Sequence, residues 1–122
     1  MILVDTSVWI DHLRRSESRL QSLLRGKQVV SHPFVIGELA MGSFRQRDLL
    51  LDELRDLPKA MVAEDDEVLQ FVSGRTLFGL GIGYIDVHLL AAARLTPGTF
   101  LWTRDRRLKA VAATLDLAVA ES

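Results

Sequence analysis

The sequence has no cysteine among its 122 residues. That absence excludes disulfide scaffolds, zinc-cysteine sites, iron–sulfur clusters and thiol nucleophiles together. Charge of one sign is lacking too: 15 Lys and Arg stand against 16 Asp and Glu, a formal net charge of -1. With a pI of about 6.3 there is no global electrostatic case for nucleic acid, so any RNA or DNA contact has to come from local patches. A long apolar run is also missing. The stretch poorest in charge, Thr76 to Ala93, holds Asp86 together with Gly79, Gly81 and Gly83, a composition unsuited to a bilayer span. The opening Met1-Ile2-Leu3-Val4 reaches Asp5 too soon for a signal peptide. A soluble, cytoplasmic protein with no membrane contact is therefore expected.

The remaining composition, 48% hydrophobic and 25% charged, is that of an ordinary globular chain. Its length suits one domain over residues 1–122, without repeats or linkers. Short apolar runs alternate with helix-period segments. Ile2-Leu3-Val4, Gln28-Val29-Val30, Met61-Val62-Ala63, Thr99 to Trp102 and Leu117-Ala118-Val119 read as strands. Between them lie helical patterns: Val8, Trp9 and Leu13; Leu20, Leu23 and Leu24 after a Ser16 cap; Phe34 to Met41 after Pro33; Leu50, Leu54 and Leu57; and Leu108, Val111, Ala112 and Leu115. Strands separated by helices imply an α/β fold. The expectation is a three-layer α/β/α sandwich around a parallel sheet of about four or five strands.

Most acids are bland. Asp48, Asp52, Glu53 and Asp56 share a helix with Arg47 and Arg55 and form a solvated face. Four others occupy odd places. Asp5 ends an otherwise apolar strand, and Glu38 is the one charge in Phe34 to Met41. Asp86 is the one charge between Arg75 and Arg94, and Asp105 follows the last clear strand. Asp5, Asp86 and Asp105 can be explained as helix caps, and Glu38 as the partner of a distant arginine. Taken together they suggest more. In an open parallel sheet, ligands bind beyond the carboxyl ends of strands where strand order reverses. Acids crowded there repel one another unless a cation sits between them, and an all-oxygen set selects a hard ion, Mg²⁺ or Mn²⁺. Such an ion activates water for phosphodiester hydrolysis. Thr6, Ser7 and Thr103 lie beside the acids and are candidates to position water or phosphate, or to act as local caps.

These residues resemble a known family. Val4-Asp5-Thr6-Ser7-Val8-Trp9-Ile10-Asp11 is similar to the opening of PIN-domain nucleases, particularly VapC toxins of bacterial toxin–antitoxin pairs. Glu38 sits in a helix after the second strand, as in that family. Gly83-Tyr84-Ile85-Asp86 matches its glycine-then-aspartate helix, and Thr103-Arg104-Asp105 its threonine-x-aspartate turn. The resemblance implies an endoribonuclease dependent on Mg²⁺ or Mn²⁺, with Asp5 and Asp86 as main metal ligands and Glu38 and Asp105 completing the acidic pocket. It also implies inhibition by a VapB-type antitoxin, a homodimer and toxin–antitoxin hetero-oligomers.

His12, His32 and His88 lack metal-ligand spacing and read as packing or surface residues, and Trp9 and Trp102 read as core. Arg104, Arg106, Arg107 and Lys109 form the densest basic cluster and are the candidate RNA contacts, with Arg14, Arg15, Arg19 and Arg25 as a second set. Rival functions are a PIN-like module that binds RNA or protein without cleaving it, and a phospho-acceptor receiver. The receiver is disfavoured because Asp5 is followed by Thr6 rather than a second acid. A haloacid-dehalogenase-type phosphatase would need an aspartate two residues after Asp5, where Ser7 stands.

Overall fold

The computed structural model describes residues 1–120; Glu121 and Ser122, the end of the expected 1–122 domain, lie outside the described residues. Three strands, β1 (Ile2–Val4), β2 (Val29–Val30) and β3 (Phe100–Trp102), form a parallel sheet in the order β2-β1-β3. Ile2 and Leu3 pair with Val29 and Val30, while Ile2, Leu3 and Val4 pair with Phe100, Leu101 and Trp102. Successive residues of a strand point to opposite faces. Leu3 and Val4, Val29 and Val30, and Leu101 and Trp102 are all buried, so both faces are covered, as parallel sheets require.

Helices supply that cover: α1 (Thr6–Arg14), α2 (Ser18–Arg25), α3 (Pro33–Ala40), α4 (Arg47–Asp56), α5 (Asp65–Gly74), α6 (Tyr84–Leu95) and α7 (Arg106–Thr114). Their buried stripes and the strands form one contiguous apolar cluster in which Leu3, Leu20, Leu54, Leu89, Leu90, Leu101 and Leu108 are fully enclosed. Among the described residues no helix is long and apolar enough to cross a membrane.

Two expected strands shrink to single pairs. Beside β2, the partner is not Met61-Val62-Ala63 but Lys59, which bridges Ser31 through Ser31 N–H to Pro58 O and Ala60 N–H to Ser31 O, both 2.8 Å. The ladder stops there because Pro33 has no N–H to donate and opens α3. Met61 and Val62 are exposed, and the Met61 amide donates to Thr96 Oγ1 instead. Beside β3, Leu117-Ala118-Val119 pairs at Leu101 and Ala118 alone. Among the described residues the sheet is thus three strands with one bridge on each outer edge. Ser16 is not the cap of α2 either: Glu17 holds that position, and its side-chain carboxylate accepts from the Arg19 amide at 3.2 Å.

β1 is central. The chain leaves it for β2 on one side and returns to β3 on the other, so strand order reverses at β1. Because all strands are parallel, their carboxyl ends share one edge, and Asp5, Ser31 and Thr103 all follow strands onto it.

Candidate active site

Asp5 sits at the reversal point, directly after Val4 and only 6% exposed. Its amide donates to Trp102 O at 2.9 Å, tying the end of β1 to the end of β3. Its Oδ2 accepts two hydroxyl protons, from Ser7 at 2.8 Å and Thr103 at 2.7 Å. Those hydroxyls accept in turn: Ser7 Oγ from the Arg104 amide at 3.0 Å and Thr103 Oγ1 from the Asp105 amide at 3.1 Å. With both protons committed to Asp5, the 3.4 Å approach of Ser7 Oγ to Thr103 Oγ1 is a neighbour contact rather than a bond. Thr6 donates to Glu38 Oε1 at 2.8 Å, linking the first turn of α1 to α3. The three hydroxyls that the sequence offered for water or phosphate therefore hold carboxylates.

Asp86 stands in the first turn of α6 and accepts from the Gly83 amide through Oδ2 at 2.9 Å. Asp105 caps α7, its Oδ1 accepting from the Arg107 and Leu108 amides at 2.9 and 3.0 Å. The cap explanations thus hold locally for Asp86 and Asp105, whereas Asp5 makes no side-chain cap bond and Glu38 has no arginine among the described residues. Each acid uses a single oxygen: Asp5 Oδ2, Glu38 Oε1, Asp86 Oδ2 and Asp105 Oδ1. The second oxygen of each takes no donor among the described residues. None of the four forms an ion pair there, since the ion pairs fall on Asp48, Asp52, Asp65, Asp11 and Glu17. Burial pushes the Asp86 carboxyl above the usual carboxylate range, and the charges of Asp5 and Asp105 push it further, against the Gly83 N–H that favours the ionised form. Asp5 and Asp105 are thus near enough for their charges to act on Asp86.

Oxygen-only donors with unbonded lone pairs and, among the described residues, no neutralising side chain fit a hard divalent cation. Among the described residues no three His, Asp or Glu side chains are already gathered at ion-binding spacing.

The basic cluster divides. Arg104 is held by Asp11 Oδ2 at 3.2 Å and Glu17 Oε2 at 2.6 Å and lies over the Trp102 ring. Arg107 covers Gly81, where a Cβ would meet its Nη1 at 2.6 Å and φ is +79°, so the position demands glycine. Arg106 and Lys109 line a hollow beside Trp102 together with Arg19. The Arg19 contact with Trp102, at 5.0 Å from the ring centroid, had no local signal, because α2 and β3 meet only in the fold. The histidines are structural: His12 Nδ1 accepts from the Glu17 amide, His32 Nδ1 caps α3 by accepting from Phe34, and His88 lies 3.4 Å from Asp65. Trp9 and Trp102 are both core.

Residues 2–114 match the PIN domain family. The chain belongs to that family. Within it, the chain is 51% identical over 121 residues to the protein named Ribonuclease VapC32 of Mycobacterium tuberculosis, in strain CDC 1551 / Oshkosh and in strain ATCC 25618 / H37Rv alike. The match covers 99% of this chain and 98% of each relative. The PIN-domain match embraces Asp5, Glu38, Asp86 and Asp105.

Proposed function

We propose that this PIN-domain chain is an endoribonuclease dependent on Mg²⁺ or Mn²⁺, the toxin of a toxin–antitoxin pair. The observation that carries the proposal is the set of four carboxylates, each with one oxygen fixed and, among the described residues, one oxygen unbonded and no neutralising cation. The name ribonuclease borne by relatives of matching length supports it. Asp5 and Asp86 are the main ligands, with Glu38 and Asp105 completing the pocket. When bound, the ion supplies neutralising charge, shields the phosphate and acidifies water.

The chain's own residues do the rest. Ser7 and Thr103 fix Asp5 Oδ2 and leave Oδ1 without a donor among the described residues, and Thr6 does the same for Glu38 through Oε1. The Gly83 amide and the first amides of α7 orient Asp86 and Asp105. Fixing the ligands in advance lowers the cost of organising the site for attack. In-line attack by water leaves 5′-phosphate and 3′-hydroxyl ends. The supporting proposals are a VapB-type antitoxin as inhibitor, a homodimer, toxin–antitoxin hetero-oligomers, a cytoplasmic location and one domain over residues 1–122.

The test is RNA-end mapping after incubation with Mn²⁺, with and without chelator, for the wild type and Asp5→Asn. Metal-dependent 5′-phosphate products absent from the variant are expected. Cyclic-phosphate ends would mean attack by the RNA 2′-hydroxyl and overturn the mechanism, and cleavage unaffected by chelator would overturn the metal dependence.

A further inference from the structure

Where β3 ends, α2, α7 and the Ala118–Val119 segment enclose a hollow of about 160 Å³, lined by Arg19, Trp102, Thr103, Arg104, Arg106 and Lys109. No acidic side chain among the described residues lines it. Arg19 and Arg104 both lie over the Trp102 ring, at 5.0 and 5.4 Å from its centroid. An indole face fixes a guanidinium plane while leaving the N–H donors at its edge available. Arg19 spends one donor on the neutral carbonyl Ala120 O at 2.6 Å, and its charge also acts on Glu17. Arg104 spends two on Asp11 and Glu17. Glu17 is held below its usual range by the Arg19 amide and then by the Arg104 side chain, so it stays ionised and pins that guanidinium. Of five guanidinium donors each, most remain. Arg106 makes no hydrogen bond or ion pair among the described residues.

The hollow adjoins the acidic cleft through one residue. Thr103 lines it and at the same time donates to Asp5 Oδ2. A small cavity rich in planar cation donors suits a phosphate group. We propose that this hollow is a subsite for an RNA backbone phosphate flanking the one held at the carboxylates. The inference rests on the ribonuclease proposal and singles out Arg19 from the second basic set, joining it to Arg106 across the fold as a substrate contact. The indole anchors the guanidiniums and stays in the core, so base stacking on Trp102 is not part of it.

The experiment measures binding of a fluorescein-labelled single-stranded RNA by anisotropy, with chelator present, across a salt series. Arg19→Gln and Arg106→Gln are compared with wild type and with Lys27→Gln, which removes the same charge just before β2, at the opposite edge of the sheet. Each pocket variant should bind about tenfold more weakly and lower the salt slope by about one, while Lys27→Gln binds as wild type. Pocket variants that bind with unchanged affinity and slope overturn the subsite, as does a Lys27→Gln loss of equal size, which would mean general charge attraction. Circular dichroism checks each fold; if Arg19→Gln unfolds, Arg106→Gln decides. Cleavage with Mn²⁺ is scored in parallel. Cleavage without pocket-dependent binding overturns the subsite alone, and pocket-dependent binding without cleavage overturns the ribonuclease proposal alone.

Discussion

Asp105 does two jobs that substitution can separate. Its Oδ1 caps α7, and its charge contributes to the acidic cleft. Asparagine caps a helix about as well as aspartate, whereas alanine costs about 1 kcal/mol. Asp105→Asn should therefore keep the wild-type Tm and lose cleavage, while Asp105→Ala loses both; a cleavage assay beside thermal unfolding reads the difference. Thr103→Val removes the proton donated to Asp5 Oδ2 and should weaken cleavage by about ten- to a hundredfold with the fold intact, the usual scale for a group that orients a ligand. Asp5→Asn deletes ligand charge itself. Losing several kcal/mol of metal-borne stabilisation slows cleavage by about a thousandfold or more. The four acids were legible in the sequence because each stands alone in an apolar or strand-ending context. The use of Thr6, Ser7 and Thr103 was not, since a hydroxyl beside an acid serves ligand, cap or brace equally well until its proton is placed.

Helix α7 positions Asp105, and the sequence announced it through Leu108, Val111, Ala112 and Leu115. Leu108 is fully buried, so Leu108→Ala should cost about 2–5 kcal/mol, measured by denaturant unfolding, and displace the cap with the helix. Helix periodicity survives translation to structure because a 3.6-residue stripe is a local property. Short strands are less secure. Met61-Val62-Ala63 has β-forming residues, yet Pro33 cuts its prospective partner short, and the pairing falls to Lys59. Sheet extent depends on what lies alongside, which one segment cannot report. The Arg19–Trp102–Arg104 stack was hidden for the same reason.

Across the whole molecule, pH acts on stability through two groups of opposite sign. Burial, and then repulsion by His88, lowers the His32 pKa from 6.5 to about 4. A depressed folded pKa gives stability that is complete above the unfolded value and drains as pH falls towards the folded one. Asp86, raised above 3.8, contributes stability that is present below that value and is lost as pH rises through its folded pKa. The His32 window lies at about pH 6.5 to 4, so Tm should fall across it, and His32→Asn should flatten the slope in a pH series of thermal scans. At neutral pH, Asp86→Asn should unfold at a higher temperature than wild type in chelator, because it relieves a half-buried charge repelled by Asp5 and Asp105. The parallel α/β arrangement followed from the alternation of apolar runs and helix-period segments, and its reversal at β1 from nothing local at all. That reversal gathers residues as distant as Asp5 and Asp105 at one edge, which is the basis of the whole account. Calorimetric titration of Mn²⁺ into wild type, Asp5→Asn and Asp86→Asn tests it most directly. Saturable binding by wild type that is lost or weakened at least tenfold in both variants is predicted. Equal Mn²⁺ affinity in all three would contradict it.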